Sequence, residues 1–226
     1  MYYGWRLRLI IDRNTVIFNS MQALDRTLVW KTYAIWSFWV GITFMIVYPS
    51  CNWLTDNRDT TYHLYINAEL GIPFIPGFFW IYMSLYLLFL LPPFFLNVEQ
   101  LKRLGKQLIL ATLFSAIMFL LFPAKLGFKR ITPENEFYAS LYSGMFHIDL
   151  PHNLVPSLHV IFSALILLSL LDAKGSTTQK TIWWGWLILI CLSTLLVHQH
   201  HILDVISGLL VAIGFRKYYN KGENHA

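Results

Sequence analysis

Pro156-Ser157-Leu158-His159 and, further along, His198-Gln199-His200-His201-Ile202-Leu203-Asp204 place ionisable side chains at the ends of segments apolar enough to cross a bilayer. Polar groups at membrane depth are costly to bury, so a function is their default explanation. His200 and Asp204 are spaced His-x3-Asp, which on a helix sets both side chains on one face, a turn apart. A carboxylate bonded to one imidazole nitrogen fixes the tautomer and leaves the other nitrogen free for nucleophilic or basic chemistry. His159 would be buried just below the mouth of the same opening, with a neutral core histidine as the bland alternative. Ser157 adds a hydroxyl donor, and a proline-led helix start offers backbone N–H groups to an anion.

A second group of reactive side chains leaves an apolar run at Phe122-Pro123-Ala124-Lys125-Leu126-Gly127-Phe128-Lys129-Arg130. A guanidinium matches phosphate oxygens in pairs, while an ammonium acts as a point charge, so Arg130, Lys125 and Lys129 are candidate phosphate ligands. Anchoring to lipid headgroups is the competing account of these cations. His198 and His201, on a helix, point away from the His200–Asp204 face. Three histidines and an aspartate could also bind a metal, but those on one helix converge poorly and the neighbouring cations repel a cation. No metal and no cofactor is expected.

The elements that must position these groups are membrane spans. Of the 226 residues 56% are hydrophobic and 13% charged, against about 25% charged in a soluble domain. Six stretches can span: Tyr33–Tyr48, Phe78–Leu96, Leu108–Phe122, Leu154–Leu171, Thr181–Leu196 and Ile202–Phe215. Several are shorter than the roughly 20 apolar residues of an ideal span, so their polar ends would dip into or thin the bilayer. Alternate loops hold thirteen of the 17 Lys and Arg residues; Arg58, Lys125, Lys129 and Arg130 fall on the other side. The positive-inside rule then puts both termini in the cytoplasm and the histidines at the outer membrane–water interface. The fold class expected is all-α, a six-transmembrane-helix bundle. Residues 1–29 read as a cytoplasmic interfacial segment, with Trp5, Leu7, Leu9, Ile10 and Ile11 against lipid, and 30–226 as the integral-membrane domain. No secretory signal is visible, because charges interrupt the first 26 residues. Trp183, Trp184 and Trp186 form an interface belt, and Cys51 and Cys191 are expected as free thiols.

In order along the chain these residues resemble the type 2 phosphatidic acid phosphatase superfamily of membrane lipid phosphatases, whose fold is related to that of the vanadium haloperoxidases. The family pattern is K-x6-R-P, then P-S-G-H, then S-R-x5-H-x3-D. Pro156-Ser157-Leu158-His159 follows the second motif with leucine in place of glycine, and Ser193, His200 and Asp204 follow the third at its offsets. Thr194 stands where the third motif has arginine. Arg130 fits the first motif, but Ile131 replaces its proline and Pro123 its lysine, with Lys125 or Lys129 as substitutes. The Pro-Ser-Leu-His variant is similar to the branch of sphingomyelin and inositol-phosphorylceramide synthases. It looks closer still to bacterial members sometimes fused to a dual-specificity phosphatase domain.

The resemblance implies an enzyme in which His200 attacks phosphorus and forms a phosphohistidine, Asp204 orients it, and His159 protonates the departing oxygen. Arg130, Lys125 or Lys129, Ser157 and helix-start N–H groups would hold the phosphate oxygens. The expected reaction is hydrolysis of a lipid phosphomonoester or pyrophosphate; the alternative is transfer of a phosphoryl or phospho-head group to a lipid or sugar. A proton-relaying transporter is a third reading, but it calls for charges deep in the spans, and Ile161–Leu171, Leu187–Cys191 and Leu209–Phe215 carry almost none. The partners expected are a membrane lipid phosphate and the bilayer, with no nucleic acid, and the setting a bacterial cytoplasmic membrane. The sequence leaves the lipid, the acceptor and the oligomeric state open.

Overall fold

The computed structural model describes residues 2–56, 58–148 and 151–221, and among these it describes side chains from Leu24 to Tyr219 except Ile148. Among the described residues the regular elements are all helices, and the β-type pairing is an isolated parallel bridge between Tyr62 and Ala124. The first helix, α1 (Tyr2–Asp56), runs continuously through the boundary expected near residue 30. The interfacial packing expected of Trp5, Leu7, Leu9, Ile10 and Ile11 lies outside the described side chains. Three helical stretches are long and apolar enough to cross a membrane: Leu24–Asp56, Val98–Leu121 and Thr177–Leu196.

The stretch Phe78–Leu96, expected as one span, is instead a chain of short helices: α2 (Phe79–Met83), α3 (Leu85–Leu88) and α4 (Pro92–Phe95). Hydrogen-bond chemistry accounts for the breaks. The Ser84 hydroxyl donates to Ile81 O at 2.6 Å, and Pro92 and Pro93 bring no backbone N–H. The carbonyl that a residue 93 amide would have engaged is Phe89 O. It accepts the Tyr33 hydroxyl of α1 at 2.8 Å instead, so the interruption is satisfied from a neighbouring helix.

Helix α5 (Val98–Leu121) starts ten residues before the expected span because Asn97 and Gln100 form a capping box. It packs along α1 at Gly105, where a β-carbon would fall 2.5 Å from the Trp36 ring. A helix absent from the expected six spans, α6 (Glu136–Ile148), follows the cationic loop; Asn135 Oδ1 accepts from Phe137 N and Tyr138 N at its start.

Helix α7 (Leu158–Asp172) is buried on nearly every side, from Val160 through Leu168, and is the axis of the bundle. Its 15 residues make it short for a span. Helices α8 (Thr177–Leu196) and α9 (Ile202–Lys221) pack beside it. Arg216 of α9 donates to Leu168 O at 2.9 Å and pairs with Asp172, locking the far ends of α7 and α9 together. Cys51 and Cys191 are both free thiols.

Candidate active site

The turn between α8 and α9 carries the site. After Leu196 the chain reverses within five residues: His198 takes a left-handed conformation (φ 55°), and the amides of Gln199 and His200 both donate to Thr194 O at 3.1 Å. His200 therefore sits in a turn ahead of α9, and the expectation that His200 and Asp204 share a helical face is corrected. Asp204, in the first turn of α9, reaches back as a cap. Its Oδ2 accepts from His201 N at 2.8 Å and from His200 Nδ1 at 3.2 Å. Asp204 is 1% exposed and His200 6%, so the pair is buried. With Nδ1–H directed at the carboxylate, the lone pair of His200 is on Nε2.

Helix α7 brings the second histidine. His159 lies flat on Tyr82, with ring centroids 3.8 Å apart, and its Nε2–H donates to Tyr82 O at 2.6 Å. That leaves Nδ1 as the nitrogen able to exchange a proton elsewhere. The starts of α7 and α9 are joined directly: Ser157 N donates to Asp204 O at 3.1 Å. Gly208 permits this, since a β-carbon there would be 3.0 Å from Ser157 O and 3.1 Å from Val160 Cβ.

His159 and His200 line one cavity of about 1070 Å³. Its walls are otherwise mostly aromatic and aliphatic, and along α1 they extend from Tyr33 to Tyr48, a length of about 22 Å at the helical rise. Asn153, which also lines it, donates to Asn52 Oδ1 at 2.6 Å and accepts from Thr55 Oγ1 at 3.2 Å. Those bonds put the polar end of the cavity beside the last turns of α1.

The other expected phosphate ligands are arranged differently. Ser157 is fully buried as the N-cap of α7, where its hydroxyl oxygen accepts from Val160 N at 3.3 Å. Lys125 and Lys129 are exposed. Arg130 donates to Phe146 O at 3.0 Å with its guanidinium 4.8 Å from the Phe146 ring centre. None of these four is among the residues lining the cavity. The cationic loop is nonetheless held close to the α8–α9 turn: Gly127 N donates to His201 Nε2 at 3.0 Å, and Phe128 stacks on both His201 and His198.

Two residues at this junction were not singled out from the sequence. Glu69, 4% exposed, accepts from His201 Nδ1 at 3.0 Å and from Ile202 N at 2.8 Å. Tyr82 supplies both the stacking face and the carbonyl for His159. An acidic residue alone in the apolar stretch around Gly71-Ile72-Pro73-Phe74 is a signal that could have pointed to Glu69. A backbone carbonyl leaves no trace in sequence.

Burial pushes the His201 imidazole below its ordinary value of 6.5, outweighing the nearby Asp204 and Glu69 carboxylates. Burial lowers His198 as well, against a hydrogen bond to Ile72 O at 2.9 Å. His201 is thus a neutral ring whose two nitrogens are both committed, one to a carboxylate and one to a backbone amide.

Apolar spanning helices enclosing a buried histidine–aspartate pair and a second histidine at one end of a greasy cavity define an integral membrane protein with an enzyme-like site. The family model of the PAP2 superfamily matches residues 73–216, and the chain belongs to this type 2 phosphatidic acid phosphatase superfamily. Membership supports an enzyme of the lipid phosphatase or phosphotransferase type. No curated protein matches the chain.

Proposed function

We propose that the protein hydrolyses a lipid phosphomonoester or pyrophosphate through a phosphohistidine on His200. The observation that carries this reading is that His200, oriented by Asp204, and His159 open onto one cavity whose remaining length suits a hydrocarbon chain. His159 enters the step as an imidazolium beside the anionic phosphate. Nε2 of His200 attacks phosphorus in line, and the P–O bond to the lipid breaks as His159 delivers its Nδ1 proton to the leaving oxygen while keeping Nε2–H on Tyr82 O. Water then attacks the phosphohistidine and gives its proton back to His159, releasing phosphate and restoring Nε2. Asp204 stabilises the charge that His200 acquires in each step. Arg130, Lys125 and Lys129 hold the equatorial oxygens once a phosphate is present, by moving from the positions they take here. The distribution of Lys and Arg favours an outer-face site, with both termini in the cytoplasm.

Transfer to an acceptor is the second reading, supported by the size of the cavity, which reaches the upper end of the range usual for a single small ligand (roughly 300–1,000 Å³). The deciding experiment is phosphate release from a panel of lipid phosphates by detergent-purified protein, with and without EDTA, alongside His200→Ala. Hydrolysis predicts release that survives chelation and vanishes in the variant. Release that appears only with an added lipid or sugar alcohol, with a phosphorylated acceptor as product, would replace hydrolysis by transfer.

A further inference from the structure

Glu69 lies outside the segment that matches the family, in a 3-10 turn (Asn67–Gly71) remote in sequence from every motif residue. Its carboxylate is buried, and a buried carboxylate is tolerated only when its lone pairs are engaged. Oε1 accepts from Ile66 N at 3.3 Å, while Oε2 accepts from Ile202 N at 2.8 Å and His201 Nδ1 at 3.0 Å. Ile202 opens α9, so the negative charge also sits at a helix N-terminus, where it is favoured.

The consequence passes through the ring of His201. A carboxylate oxygen can only accept, so Nδ1 must bear the proton and Nε2 must carry the lone pair. That lone pair takes the Gly127 amide at 3.0 Å. The ring is sandwiched between Tyr65 (centroids 4.6 Å apart) and Phe128 (4.5 Å). Gly127 has no room for a side chain, since a β-carbon would fall 2.5 Å from Tyr65. His201 follows His200 directly, so whatever fixes this ring fixes the nucleophile's neighbour.

We propose that Glu69 is a positioning residue: by setting the tautomer of His201 it makes that ring hold Gly127, and with it the loop of Lys125, Lys129 and Arg130, against the turn that bears His200. The relay works only while His201 is neutral, because a protonated Nε2 would oppose the Gly127 donor. The charged and titratable groups around that ring are Glu69 on Nδ1, Asp204 and His200 on its own segment, His198 across Phe128, Tyr65 on the opposite face, and Lys125 and Lys129 on the loop.

Glu69→Gln tests the tautomer directly. Because Oε2 alone takes both Ile202 N and His201 Nδ1, a glutamine either faces both donors with an uncharged oxygen or opposes both with its NH2. Each outcome weakens the hold that keeps the ring proton on Nδ1 while leaving the stack intact. His201→Phe keeps the stack and removes both bonds, so it serves where Glu69→Gln folds poorly. The first measurement is amide hydrogen exchange of the full chain in detergent micelles, which does not depend on the proposed activity. Peptides covering residues 124–130 are expected to exchange faster in either variant, with those from α7 unchanged; unchanged exchange in the loop overturns the proposal.

The second measurement rests on the phosphatase reading and follows phosphate release from dioctanoyl phosphatidic acid. Each variant should lose about fivefold to tenfold in kcat/KM, the size of one hydrogen bond, mostly through KM. The double variant should be no worse than His201→Phe alone, since both act through one ring. The acid limb of the parent's pH profile should flatten in His201→Phe. Additive losses, or a parent-like profile and KM, would overturn the positioning role. Faster loop exchange in the variants beside a parent that releases no phosphate would keep the loop relay and reject the phosphatase reading.

Discussion

Asp204 Oδ2 accepts from His200 Nδ1 at 3.2 Å and from His201 N at 2.8 Å, so one carboxylate both caps α9 and orients the imidazole proposed as the nucleophile. Folding and chemistry are coupled at that oxygen. The turn that presents His200 exists because the start of α9 needs an acceptor, and the acceptor chosen is the residue that also fixes the imidazole tautomer.

Asp204→Asn separates those two duties. An asparagine oxygen still caps the helix, but the amide cannot stabilise a charged imidazole. Phosphate release is expected to fall by about a hundredfold or more, with a thermal midpoint within a few degrees of the parent. His200→Ala should abolish release and also remove the acid-labile phosphoenzyme trapped by rapid quenching of a radiolabelled substrate.

Gly208→Ala tests the crossing of α7 and α9. Its β-carbon would press on Ser157 O at 3.0 Å and Val160 at 3.1 Å, forcing the helix starts apart. The expected cost is about 1–3 kcal/mol of stability, read as a lower unfolding temperature in detergent. Turnover should drop as well, because the same crossing sets His159 relative to His200.

Gly41 lines the cavity, and a β-carbon there meets nothing within 4 Å. Gly41→Phe should therefore fold normally while filling space meant for hydrocarbon. KM for a long-chain lipid phosphate is expected to rise by roughly tenfold, the value of about two buried methylenes. A short-chain substrate should be unaffected. Equal effects on both chain lengths would place the hydrocarbon elsewhere.

Stability should fall on acidification through the α8–α9 turn. Burial holds His198 and His201 below their ordinary value of 6.5 in the folded state, so in that interval the unfolded chain binds more protons. The contribution is full above 6.5 and is lost as pH drops toward the folded values. Melting temperature measured against pH should show this decline in the parent and a shallower one in His201→Phe.

The membrane character, the helical class and the histidine–aspartate pair were legible in the sequence because each is local. Hydropathy runs mark apolar helices such as α5 and α8 directly, and His200, Asp204 and His159 lie in short motifs with recognisable spacing. The breaks within Phe78–Leu96 were not legible because hydropathy counts apolar residues and is blind to the amides missing at Pro92 and Pro93. Helix α6 was missed because a helix of 13 residues gives too short a signal for a spanning pattern.

What the sequence by itself determined was which side chains could do chemistry and that they belong at the ends of apolar helices. Tertiary structure alone decided how they meet. Tyr82 lies 77 residues from the histidine it supports, and Glu69 lies 132 residues from His201. Such pairings follow from where α2, the 3-10 turn and the α8–α9 turn come together. No spacing rule links them, because a buried polar group takes whichever partner the packed backbone delivers to it.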